Sequence, residues 1–215
     1  EELGRIQINS IIATINKGAP DLNSIRQELL DTILTLPNKE QQPLRLLGMQ
    51  AFAAKGDGVA IKALAINDIF TKASENSLDL LTFAKFRQSL PQDIDAELSV
   101  FGRNISQLNS LTNSIASSSL EKLNALDARA LTDHLTSLTE QIASSAADKE
   151  MVSALTKELS NSLQILTSKI SQLESGSFEL SIVRERALAS LETLKSSASN
   201  QELVALRTNI LTALA

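Results

Sequence analysis

Residues 148–176 read DKEMVSALTKELSNSLQILTSKISQLESG. Val152, Leu155, Leu159, Leu163, Leu166, Ile170 and Leu173 recur in steps of three and four, the spacing that lines one face of an α-helix. Asp148 is placed to cap the start. Gly176 is placed to stop it, because only glycine takes the left-handed turn there without cost. The same pattern continues on both sides. Leu131, Leu135, Leu138 and Ile142 predict the preceding helix. Leu180, Val183, Ala187, Leu191 and Leu194 predict a helix over about 177–197. Asn200 then caps a last one with Leu203, Leu206, Ile210 and Leu214. Upstream, Ile94, Leu98, Phe101, Ile105, Leu108 and Ile115 predict one long helix over about 92–117, despite Gly102, which costs about 1 kcal/mol against Ala in a helix interior. At 1.5 Å per residue the longer helices reach roughly 30–40 Å. Short loops between them force antiparallel neighbours.

Composition shifts near residue 100. All four Pro (Pro20, Pro37, Pro43, Pro91), five of seven Gly and five of six Phe (Phe52 to Phe101) occur by that point, so the first half should be short elements with frequent turns. Helix 1 is expected over about 2–17, ending at Gly18. A second opens at Pro20 and Asp21 and ends at Pro37. A third has Pro43 in its first turn. Gly56-Asp57-Gly58 turns into a fourth, and Ser77 caps a fifth with Leu80, Leu81, Phe83 and Phe86. No run alternates apolar and polar residues as a half-buried strand does. The expected fold is all-α: a short-helix hairpin region, then a longer up-and-down antiparallel helical bundle with coiled-coil-like seams. The expected division is 1–91 and 92–215, with helix 92–117 shared between the two parts.

The 215 residues carry a net charge of −5, no Cys, no Trp, no Tyr and one His. Without Cys there is no disulfide, zinc–thiolate site or cysteine nucleophile. Scattered Lys and Arg argue against nucleic acid, which needs clustered positive charge. No window reaches the ~18–20 apolar residues of a membrane helix. The chain opens Glu1-Glu2-Leu3-Gly4-Arg5, with neither Met nor a signal-like segment, so a fragment of a larger protein is expected. Lack of Cys suits a bacterial periplasm or cytoplasm equally.

Motifs for chemistry are weak. His134 has Ala130 and Leu138 one turn away, so no carboxylate sits at helical spacing, and a structural role is expected. Asp93-Ile94-Asp95-Ala96-Glu97 resembles the opening of a calcium loop but has Leu98 where that loop needs Gly, and Asn104 where it needs Glu. Its acidic residues suit a helix N-terminus. Gly56-Asp57-Gly58 lacks the rest of a phosphate loop. Ser119-Leu120-Glu121-Lys122 matches Ser-x-x-Lys without the accompanying motifs. No catalytic, metal or cofactor site is expected. The expected function is a non-enzymatic α-helical signalling or protein–protein interaction module, binding another protein or itself. The alternatives are an extracytoplasmic sensor domain of a bacterial histidine kinase or chemoreceptor, and a secreted effector that binds a host protein.

Overall fold

The computed structural model describes residues 2–18, 21–195, 204, 205, 208, 211 and 212. Among them are ten α-helices and no strand, so the chain is an all-α helical bundle. Leu203, Leu206, Ile210 and Leu214 of the expected final helix lie outside the described residues, as does Pro20.

Two compact units divide the chain. The first comprises Glu1–Ser74 with Pro91–Asn109, and the second Glu75–Leu90 with Ser110–Ala215. Unit 1 holds α1 (Glu2–Asn16), α2 (Leu22–Leu34), α3 (Asn38–Ala53), α4 (Gly58–Ser74) and α6 (Asp95–Val100). Its core is closed by Ile8, Ile15, Leu29, Phe52, Val100 and Phe101, among others. Gly48 lets α3 approach α2 closely, since a Cβ there would fall 2.3 Å from Leu29 Cδ2. Arg26 donates through Nη1 to both oxygens of Asp57, at 2.7 and 2.6 Å. Asp57 Oδ2 also accepts from Ala60 N at the start of α4. The Gly-Asp-Gly turn is thus a helix cap tied to α2. Gly56 takes φ +81°, and Asp57 N donates to Phe52 O, closing a Schellman turn on α3.

Unit 2 holds α5 (Leu80–Ser89), α8 (Ala128–Ser144), α9 (Lys149–Ile170) and α10 (Phe178–Lys195). The division runs through α7 (Ile105–Asn124), at Asn109/Ser110. Helix α8 is central, packing on α5, α9 and α10. Arg87 of α5 ties this unit together: it pairs with Asp148 at 2.9 Å and donates to Thr112 Oγ1 at 3.1 Å. Asp148 also caps α9 through Met151 N.

Several expectations change. Helix 92–117 is not continuous. Leu98 O and Ser99 O accept from Arg103 N and Gly102 N, a Schellman turn with Gly102 at φ +67°. A new helix then starts at once. Asn104 Oδ1 accepts from Gln107 N, while Gln107 Oε1 accepts from Asn104 N. This reciprocal capping box satisfies two donors that a helix start leaves open. Helix α3 begins at Asn38, five residues before Pro43, which lies inside it. The cap of α5 is Asp79, whose carboxylate reaches Thr82 N at 2.8 Å, in place of Ser77. Helix α9 ends at Ile170 rather than at Gly176, which sits with φ +77° in the turn before α10.

Candidate functional site

His134 lies on the flank of α8's buried stripe, one position before Leu135. Glu158 occupies a core position of α9, three residues after Leu155 and four before Ser162. Where α8 and α9 pack, His134 Nε2 meets Glu158 Oε1 at 2.9 Å. The two side chains are 16% and 3% exposed. A carboxylate only accepts, so Nε2 is the donor of this bond when Glu158 is ionised. Glu158 Oε2 is buried with no hydrogen-bond partner, which is a costly position for a carboxylate. The carboxylate partner thus comes from another helix, 24 residues on, where helical spacing on α8 has none to give.

A carboxylate–imidazole pair is half of an acid–base site. The other half is a nucleophile within reach of the ring. Several hydroxyls of α8 and α9 are committed elsewhere. Thr132 Oγ1 donates to Ala128 O at 2.7 Å, and Ser162 Oγ to Glu158 O at 2.8 Å. Thr136 Oγ1 and Ser190 Oγ bond each other at 2.9 Å, joining α8 to α10. Ser119, of the Ser-x-x-Lys match, donates to Ala116 O within α7, while Lys122 Nζ reaches Asn76 O. Asp95 and Glu97 occupy the first turn of α6. No group of three potential metal ligands occurs among the described residues. An open groove of about 360 Å³ between α7 and α9 is lined by Asn124, Gln164, Ile165, Ser168, Lys169 and Gln172. Its one cation is tied down, Lys169 Nζ donating to Asn124 O at 3.1 Å.

Unit 1 holds one buried and one partly buried arginine. Arg45, 7% exposed, donates through Nη1 to Val100 O. Arg103 stacks 3.9 Å from the Phe70 ring centroid. Burial pulls both guanidinium groups below the ordinary arginine value. Their Nε atoms have no hydrogen-bond partner. Arg45 and Gln42 together cap the end of α6, through Val100 O and Phe101 O.

Both units expose large apolar side chains, Leu120 (48%), Phe178 (81%) and Leu188 (43%) among them in unit 2. In unit 1 each of α1–α4 exposes a large apolar side chain on the side turned from the core: Leu3 (83%) and Ile6 (61%), Leu34 (59%), Leu47 (47%) and Ile61 (49%). In unit 2 the exposed positions of α8 and α9 are Arg129, Asp133, Glu140, Lys149, Glu150 and Lys157, among others. No helix among the described residues is long and apolar enough to cross a membrane. Comparison with protein-family models, curated proteins and solved structures gives no match.

Proposed function

We propose that the chain is a non-enzymatic protein-interaction module whose docking side is unit 1. One observation carries this reading. Four successive helices each hold a large apolar residue in water, opposite the residues they bury. Exposed apolar residues scattered singly are ordinary; what supports the reading is their recurrence on each of α1–α4. The polar outward faces of α8 and α9 suit contact with solvent. The reading also suits the many hydroxyl groups that donate to carbonyls of their own helices, such as those of Thr132, Thr156 and Ser162.

The test compares the full chain with Leu47→Lys and Ile61→Lys. Both residues are about half exposed, so circular dichroism and melting temperature are expected to stay unchanged. A partner retained by the wild-type chain in its native extract is expected to be lost by both variants. Identical sets of retained proteins would sink the reading. So would turnover of any substrate that disappears in His134→Ala.

A further inference from the structure

Helix α1 carries two stripes. Ile8, Ile11 and Ile15 are buried in unit 1. On the opposite side Leu3, Ile6, Ser10 and Ala13 follow one another at steps of three, four and three, and all four are exposed. At 100° per residue they fall within a band about 80° wide, centred nearly opposite Ile8. The stripe is graded. Its first half is large and apolar, with Leu3 83% and Ile6 61% exposed. Its second half is small. The ends are charged in opposite senses, with exposed Glu2 in the first turn and exposed Lys17 just past the last.

We propose that this stripe is a self-association surface, on which a second copy of this chain lays its own α1 antiparallel. Leu3 and Ile6 of one copy then pack over the partner's Ser10 and the partner's Ala13, and the reverse holds across the two-fold axis. Glu2 of each copy comes to the Lys17 end of the other. The alternative alignments are worse for stated reasons. A parallel pair sets Glu2 against Glu2 and Lys17 against Lys17, and leaves the small residues facing each other across a gap. A foreign helix is not required to match the grading, whereas a second copy matches it by symmetry: an isologous contact needs one patch that complements itself. Antiparallel helix dipoles add a small favourable term.

This inference rests on the reading that unit 1 is the docking side, and it names one occupant of that side. The test is sedimentation velocity of the full chain up to about 500 μM, where a contact of one helix face registers. Wild type is expected to shift from monomer to dimer with concentration. Ile6→Asp is expected to weaken the dimer by at least about tenfold, as loss of a central apolar contact does. Glu2→Lys and Lys17→Glu are each expected to weaken it, and the double exchange to restore it. Circular dichroism controls for folding, since none of the three side chains is buried. A monomer at every concentration overturns the proposal. So does a dimer indifferent to Ile6→Asp, or a double exchange that fails to recover. The Leu47 and Ile61 variants report on partner capture, so a monomeric chain that still loses its partner in those variants defeats this proposal alone.

Discussion

Glu158 has one hydrogen bond for two oxygens, and that bond comes from the only histidine. The energetics of such a pair are lopsided. Removing the imidazole leaves a carboxylate buried alone, whereas removing the carboxylate lets a ring that is 16% exposed turn to water. His134→Ala is therefore expected to destabilise the chain by about 2–3 kcal/mol, and Glu158→Leu to be neutral or stabilising. Urea unfolding checks the order; a His134→Ala chain as stable as wild type would show that the bond contributes nothing. The local sequence around His134 does not show this pairing. The pattern of α9 does contain a clue, because Glu158 falls on the Leu155–Leu159–Leu166 stripe, where a charge has to find a partner. Arg45 is a second case, a cation on the Met49–Phe52 side of α3.

The joint between α6 and α7 is the element that periodicity alone misplaces. Ile94 to Ile115 keeps helical spacing through the break, so the apolar residues give no warning. The warning lies in the polar ones: Gly102 for the left-handed turn, then Asn104 and Gln107 at capping-box spacing. Gly102→Ala separates the two readings by sign. In a continuous helix it would stabilise by about 1 kcal/mol. With φ at +67° it is expected to destabilise by about 1–2 kcal/mol, the cost of a left-handed Cβ. A rise in melting temperature would refute the joint. Elsewhere the same kinds of signal were legible in the sequence. Gly18 takes φ +95° just after α1, and Asp21 and Asp148 cap the helices they were expected to open. Pro43 misled, because a proline that suits a first turn is also tolerated six residues in when tertiary packing holds the helix.

At the scale of the molecule, the core of unit 1 draws on residues far along the chain. Val100 and Phe101, 1% and 4% exposed, pack with residues of α1–α4. Phe101→Ala is expected to cost about 3–5 kcal/mol, as for buried Phe elsewhere. Hydrogen exchange should then show α1–α4 losing more protection than α8 and α9, because protection follows cooperative units. Equal loss in all of them would mean that the units do not unfold separately. The all-α class and the long helices α8, α9 and α10 followed from apolar spacing. Which helix joins which unit did not, because α5 carries no mark in Leu80, Phe83 or Ala84 that says it packs with helices about 50–70 residues later.

That placement of α5 has a consequence for how the chain is made. Unit 1 has all its pieces once residue 109 is synthesised, yet α5 is already out and its neighbours α8 and α9 are not. At a translation rate of about 5–20 residues per second, the interval before α9 emerges lasts several seconds. Until α8 has followed, α5 lacks the helices of unit 2 that it packs on, and the nascent polypeptide presents a short apolar helix to whatever meets it first. The ribosome-bound chain is therefore most exposed to misassembly in its middle, after its first unit has folded.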